Sequence, residues 1–88
     1  SSIYLERKLA AKLWKLARDF GIQTEDGIEI DVNMTASFLA DMLGVSRETT
    51  SRTCATLIEN GLIMVKKKRI IIGNPEKMSA FYKTGKII

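Results

Sequence analysis

Apolar residues recur every three or four positions near the start of the chain, which is the spacing of one helix face. These positions are Leu5, Leu9, Leu13, Leu16 and Phe20. The cations of the same stretch fall on other faces, at Lys8, Lys12, Lys15 and Arg18. The pattern predicts an amphipathic helix over residues 3–20, with Gly21 as its C-cap.

After Gly21 the apolar residues recur at every second position instead, which is the spacing of one strand face. Over residues 22–33, three β-branched residues alternate with polar ones, at Ile28, Ile30 and Val32. Glu25-Asp26-Gly27 is typical of a turn, so we expect a small strand or a hairpin with one apolar face here. We interpret the acids of this region as solvated hairpin charges, because their spacing does not fit a calcium loop.

Two further helical stretches follow with very little chain between them. Thr35 is a suitable N-cap for a helix over residues 36–43, and Gly44 can end it. The next helix is predicted over residues 46–60, between Ser46 as N-cap and Gly61 as C′ residue. A helix, a short glycine-containing turn and a second helix are typical of a helix-turn-helix motif.

The helix over residues 46–60 has two kinds of face. Helical spacing directs Val45, Thr50, Cys54 and Leu57 toward a core. The other faces carry Arg47, Glu48, Ser51 and Arg52. Arginine can donate two hydrogen bonds to guanine and a carboxylate can accept one from cytosine, so these faces fit a DNA-recognition helix. An ordinary amphipathic helix with solvated charges has the same pattern, and this stretch alone leaves both interpretations open.

A basic hairpin is predicted directly after this helix, over residues 62–72. Two apolar runs flank four consecutive cations, Lys66, Lys67, Lys68 and Arg69. A hairpin in this place is typical of the wing of a winged helix, whose tip can approach DNA phosphates. In the alternative interpretation, the charged tip serves only to protect a sheet edge from aggregation. Asn74 and Pro75 then begin a short helix, predicted over residues 75–82.

These elements predict one domain over residues 1–88, mainly α with a small β-hairpin wing (α+β), in a winged helix-turn-helix arrangement. The chain has no histidine and one cysteine, which removes the usual general base, any internal disulfide and any cysteine-rich metal site. We therefore predict no catalytic residue, no metal and no cofactor. No apolar run approaches the roughly 18–20 residues of a membrane span, and the start lacks a signal-peptide pattern. We expect a cytoplasmic binding module without a membrane partner.

Charge is segregated along the chain. The net charge is +4, but residues 19–45 contain six acids and no base. Residues 46–72 contain six bases and two acids. This layout predicts a basic side that attracts a polyanion and an acidic side that does not.

Two segments carry a family resemblance, Leu39-Ala40-Asp41-Met42-Leu43-Gly44-Val45-Ser46-Arg47-Glu48-Thr49 with Ser51-Arg52, and Leu57-Ile58-Glu59-Asn60-Gly61-Leu62-Ile63. They resemble the C-terminal DNA-binding domain of the Crp/Fnr (catabolite-activator and fumarate–nitrate-regulator) family of bacterial transcription regulators. The predicted elements also come in the order of that family over nearly the whole chain.

The resemblance implies sequence-specific duplex DNA binding. By position, Arg47 and Arg52 match residues that contact guanines, Glu48 matches the residue that accepts from a cytosine amine, and Ser51 fits the small polar position between them. The implied half-site contains guanine and is related to TGTGA or TTGAT. Phosphate contacts are expected from Thr35, Ser46, Thr49, Lys66, Lys67, Lys68 and Arg69.

The family also has an N-terminal sensor domain and a long dimerisation helix, and this sequence lacks the sensor domain and most of that helix. We therefore expect a fragment whose full-length parent is a homodimer through the missing N-terminal segment. RNA polymerase is a further expected partner. Two positions depart from the family pattern: Thr50 replaces an apolar residue, and Lys67-Lys68 replaces the usual glycine of the wing tip. Cys54 lies on the core side and is interpreted as a buried small hydrophobe, not as a redox site.

Two other hypotheses stay open. Some winged helices bind proteins, and the acidic residues 19–45 could face a sensor domain or a polymerase. An enzyme is the third hypothesis, but no nucleophile–base pair, metal cluster or phosphate loop in the sequence supports it.

Overall fold

The computed structural model describes residues 2–88. Along that range the elements are α1 (Ile3–Phe20), β1 (Gly21–Thr24), β2 (Gly27–Ile30), α2 (Ala36–Leu43), α3 (Arg47–Glu59), β3 (Met64–Lys66), β4 (Arg69–Ile72) and α4 (Pro75–Thr84). This arrangement of helices with a small antiparallel sheet confirms the predicted fold class. Within residues 2–88, none of the helices has both the length and the hydropathy of a membrane span.

Helix α1 forms the centre of the core. Its Leu9 and Leu13 are fully buried, and α1 packs against α3, α4 and β2. The rest of the chain contributes apolar side chains of similar burial, among them Ile30, Leu43, Leu57, Leu62, Ile63, Ile70, Ile72, Met78 and Phe81. The apolar period of α1 therefore marks the face against which the rest of the chain folds.

The four strands form one antiparallel sheet in the order β1-β2-β4-β3. The sequence predicts a small strand or hairpin over residues 22–33 and a separate wing hairpin, but β2 pairs with β4 through Ile28 with Ile72 and Glu29 with Ile71. A period-two pattern identifies a strand without naming its neighbour, so the sequence could not show this pairing. Because of it, the wing strands β3 and β4 are joined to the acidic hairpin β1–β2.

Helix α1 leads into β1 without a loop. Gly21, the predicted C-cap, is extended (φ −78°, ψ 142°) and begins the strand. A Cβ at this position would lie 2.1 Å from the carbonyl oxygen of Ala17, so the close approach of the chain to α1 requires glycine.

The turn between α2 and α3 is short and held from both sides. Gly44 has a left-handed conformation (φ 77°) and donates to the carbonyl oxygen of Ala40 at 2.8 Å. Lys8 of α1 donates its ammonium to the carbonyl oxygen of Leu43 at 3.1 Å. A cation at the C-terminal end of α2 complements its dipole, and it also fixes the turn against α1.

Candidate nucleic-acid interface

Helix α3 begins with a chain of side-chain hydrogen bonds. The Ser46 hydroxyl oxygen accepts from the backbone N–H of Thr49 at 3.2 Å, as expected of an N-cap. The Ser46 and Thr49 hydroxyls are also bonded to each other at 3.1 Å. Arg52 donates from Nη2 to the Thr49 hydroxyl oxygen at 3.2 Å, which directs its guanidinium toward the start of the helix.

The four side chains predicted to contact bases are all exposed, in the first half of α3. Arg47 and Ser51 are one turn apart, as are Glu48 and Arg52, so they form two adjacent rows on one surface. Arg47 also donates from Nη2 to the Ser37 hydroxyl of α2. Within residues 2–88, the Glu48 carboxylate has no salt-bridge partner.

Threonines anchor the opposite side of α3. Thr50 is only 2% exposed and Thr53 is fully buried. Both hydroxyls donate to carbonyl oxygens one turn earlier, at Ser46 and Thr49 respectively, each at 2.8 Å. Thr50 lies on the core side, as the helical spacing predicts, whereas Thr53 is not among the predicted core residues although it lies four residues before the buried Leu57.

Cys54 is half-buried beside this anchor, so it is less enclosed than predicted. Burial raises the pKa of the Cys54 thiol, so the protonated form is favoured in the folded chain. A thiol that stays protonated is a poor nucleophile and a poor metal ligand.

An apolar groove of about 280 Å³ separates α3 from the wing. Ala55 and Ile58 line it from α3, and Val65 lines it from β3. Ala55 is exposed and lies one turn after Ser51, so it extends the row of Arg47 and Ser51 toward the wing. Ala55 is not among the predicted site residues, because alanine has no polar group that would indicate a contact.

The wing tip has an unusual turn. Lys66 pairs with Arg69, and the two residues between them, Lys67 and Lys68, both have positive φ, 50° and 64°. Positive φ at both central residues is the mark of a type I′ hairpin turn, which normally contains asparagine or glycine. The Lys68 carbonyl oxygen accepts from the backbone N–H of Met34 at 2.8 Å, so the tip is tied to the chain before α2.

Two of the four cations predicted at the wing tip, Lys66 and Arg69, form ion pairs with acids of the β1–β2 region. Arg69 donates to Asp31 at 2.5 Å and to Asn33 at 3.0 Å, and its Nη1 lies 3.6 Å from Glu29. The Lys66 ammonium lies 2.6 Å from Asp26.

Lys67 and Lys68 therefore hold the wing charge that is left without an ion pair within residues 2–88. The prediction that the acids of the β1–β2 region are only solvated charges is wrong for three of them. Asp26, Glu29 and Asp31 pair with the wing.

The remaining predicted phosphate contacts lie at helix N-termini. The Thr35 hydroxyl oxygen accepts from the backbone N–H of Phe38 at 3.0 Å and caps α2. Ser46 caps α3. The two N-termini are bridged by the contact of Arg47 with Ser37, which brings two positive dipole ends to one side of the molecule.

A helix-turn-helix followed by a paired β-hairpin, with α3 exposed along one side, defines a winged helix-turn-helix domain. The chain belongs to the family described as the Crp-like helix-turn-helix domain, whose family model matches residues 7–81. The predicted resemblance to the Crp/Fnr family is therefore confirmed.

Relatives agree with this assignment. The chain is 40% identical over 72 residues to the global nitrogen regulator of Synechococcus elongatus, covering 82% of this chain and 32% of that protein. It is 32% identical over 75 residues to the fumarate and nitrate reduction regulatory protein of Salmonella typhimurium, covering 85% and 30%. The chain thus spans about a third of the length of the curated relatives it matches. These relatives are transcription regulators, not enzymes.

Solved structures show the same fold. A CooA mutant from Carboxydothermus hydrogenoformans superposes with a TM-score of 0.80 at 24% identity, over 89% of this chain and 36% of that one. A CRP-family transcriptional regulator from Thermus thermophilus superposes with a TM-score of 0.78 at 22% identity, over 91% and 40%.

Proposed function

We propose that the chain binds duplex DNA sequence-specifically, as the DNA-binding domain of a bacterial transcription regulator. The observation that carries the proposal is the exposed surface formed by Arg47, Glu48, Ser51 and Arg52 in the first half of α3. In helix-turn-helix proteins the N-terminal residues of the second helix contact base edges in the major groove. A surface with two arginines, one carboxylate and one small polar residue suits a site that contains guanine and cytosine.

Each side chain has a chemical role in this proposal. Arg47 and Arg52 donate to guanine O6 and N7, and Glu48 accepts from a cytosine amine. Ser51 is small enough to let the helix approach the bases closely. Ala55 adds an apolar surface beside Ser51 that fits a thymine methyl group.

Phosphate contacts fix the register of α3 on the duplex. The helix N-termini capped by Thr35 and Ser46 supply free backbone N–H groups and positive dipole ends. Thr49 adds a hydroxyl beside Ser46, and Lys67 and Lys68 carry charge at the wing tip that has no ion-pair partner among the described residues. Lys66 differs from these two lysines because its ammonium is paired with Asp26.

Arg69 has a different role from the other wing cations. Its guanidinium is bound to Asp31 and Asn33, so we assign it to holding the wing and not to contacting phosphate.

The working form is a pair of such domains on a pseudo-palindromic site, because helix-turn-helix dimers bind two half-sites about one helical turn apart. The dimer forms in a longer cytoplasmic parent protein, with RNA polymerase as a further partner. One domain alone contacts one half-site and therefore binds more weakly than the dimer.

Selection of bound duplexes from a random-sequence pool tests the proposal. The expected result is enrichment of one guanine-containing half-site, with affinity that falls as salt rises. Binding without enrichment would contradict base recognition. The absence of any binding at low salt would contradict DNA binding altogether and favour a protein-interaction module.

A further inference from the structure

The acidic turn between β1 and β2 reaches the wing from the far end of β4. Asp26 belongs to this turn, and its carbonyl oxygen would lie 3.4 Å from a Cβ built on Gly73, just beyond the end of β4. Lys66 pairs with Arg69 at the opposite end of β4. Its ammonium nevertheless lies 2.6 Å from Asp26 Oδ2. The Lys66 side chain therefore extends back along the sheet, away from the wing tip.

The strand register explains the path of this side chain. Lys66 pairs with Arg69, Met64 pairs with Ile71, and Ile71 pairs with Glu29. Paired residues and alternate residues share one sheet face, so all five lie on the same face. Ile71 is only 2% exposed although it lies on this outer face. A lysine stem lying along the face can cover apolar surface while its ammonium stays in water.

We propose that Asp26 takes the place of a DNA phosphate on Lys66 in the free protein, and that Lys66 transfers to a phosphate when a duplex binds. The inference rests on the proposed function. A carboxylate and a phosphate offer the same kind of anionic acceptor to an ammonium group. The side chains of Lys66 and Asp26 are 58% and 47% exposed, so burial does not prevent the exchange. Exposed ion pairs of this kind are weak and screened by salt.

The competition lowers DNA affinity without changing sequence preference. Phosphate contacts carry no sequence information, so the loss is the same on cognate and on random duplexes. Salt weakens the pair of Lys66 with Asp26, so the loss is largest at low ionic strength. Asp26 thus limits the time that the domain spends on non-target DNA and leaves α3 to choose the site.

Two variants with the same change of net charge test the proposal in the 88-residue chain. Asp26→Asn removes the competitor, and Glu25→Gln removes the neighbouring exposed carboxylate, which has no salt-bridge partner within residues 2–88. Affinity for a labelled mixed-sequence duplex is measured by fluorescence anisotropy over a series of salt concentrations. Asp26→Asn is expected to bind about two- to fivefold more tightly than Glu25→Gln at low salt, and the difference should shrink as salt rises.

A third variant ties the effect to Lys66. Lys66→Met keeps most of the apolar stem and removes the charge, so Asp26→Asn should gain nothing over Glu25→Gln in a Lys66→Met background. Circular dichroism establishes whether each variant is folded. If Asp26→Asn is not folded, Asp26→Ser is used in its place.

The outcomes separate this inference from the proposed function. Equal affinities of Asp26→Asn and Glu25→Gln, or a gain that persists with Lys66→Met, would overturn the role of Asp26 while wild-type binding stands. Failure of the wild-type chain to bind the duplex at low salt would overturn the proposed function, and the role of Asp26 with it.

Discussion

The backbone N–H of Met34 donates a 2.8 Å hydrogen bond to the carbonyl oxygen of Lys68. Met34 directly precedes Thr35, the N-cap of α2, whereas Lys68 lies at the tip of the wing. Asn33 adds a side-chain contact to Arg69 in the same region. The wing is therefore fixed to the start of the helix-turn-helix, so Lys67 and Lys68, which have no ion pair within residues 2–88, lie at a tip tied to the chain just before the N-terminus of α2.

Replacing Arg69 tests whether ion pairs hold the wing in place. Arg69→Met removes the contacts with Asp31, Glu29 and Asn33, and should lower the free energy of unfolding by about 1 kcal/mol. Affinity should fall equally on all duplexes because the wing lysines lose their position. Urea unfolding and anisotropy measure the two effects. Lys86→Met changes the net charge equally and should leave stability unchanged, so equal destabilisation by both variants would contradict the assignment.

The turn at the wing tip predicts opposite changes in stability and binding. Left-handed conformations disfavour lysine, and Asn-Gly is the preferred sequence of a type I′ turn. Lys67→Asn with Lys68→Gly should therefore raise the free energy of unfolding by about 1 kcal/mol. The same change should flatten the dependence of log affinity on log salt by about two units.

A second double variant with the same loss of charge separates the effect of charge from the effect of backbone conformation. Lys67→Gln with Lys68→Gln removes the same charges but keeps two ordinary side chains in left-handed positions, so it should weaken binding without stabilising the fold. An unchanged salt dependence in both double variants would show that the wing tip does not contact phosphates.

Thr53 should matter through its methyl group more than through its hydroxyl. The hydroxyl donates to the carbonyl oxygen of Thr49 in its own helix, whereas the methyl is fully buried. Thr53→Ser should destabilise the chain by about 1 kcal/mol, and Thr53→Val should be nearly neutral. Thermal or urea unfolding measures both. Greater destabilisation by Thr53→Val would mean that the hydroxyl is the more important group.

Burial of Cys54 predicts a dependence of stability on alkaline pH. The pKa of the thiol is raised in the folded chain, so this group contributes its full stabilisation below the pKa of the unfolded chain. That contribution is lost as pH rises from about 8.5 through the folded pKa. Cys54→Ala should remove this part of the pH dependence, which urea unfolding across the alkaline range measures. If the free energy of unfolding fell equally steeply with pH in wild type and in Cys54→Ala, this prediction would be wrong.

Much of the fold follows from the pattern of apolar residues. Helices α1 and α2 occupy the ranges that helical periodicity indicates, because each has an uninterrupted apolar face between a capping residue and a glycine. Helix α3 also starts at its predicted cap, Ser46, and Gly61 follows its end with φ of 70°. Local chemistry suffices for such elements because caps and helix faces lie within a few residues of each other in sequence.

The sequence predicts less of the candidate interface than of the fold, because the ion pairs of the interface join segments that are distant in the chain. Lys66 and Asp26 are 40 residues apart, and Arg69 and Asp31 are 38 apart. The run of four cations does not show that two of them are paired with acids. The pairing of β2 with β4 brings these acids to the wing, and no single-strand pattern specifies that pairing. The turn type at Lys67 and Lys68 was equally hidden, since neither residue favours positive φ.

The most direct test of DNA recognition compares Arg52→Ala with Arg18→Ala, an exposed arginine on α1 that removes the same charge. Affinities are measured by anisotropy on the duplex selected from the random pool and on a scrambled duplex of the same composition. Arg52→Ala should weaken binding to the selected duplex by about 1–3 kcal/mol more than Arg18→Ala does, and should have little extra effect on the scrambled duplex. Equal losses on the selected and scrambled duplexes would contradict a base-contacting role for α3.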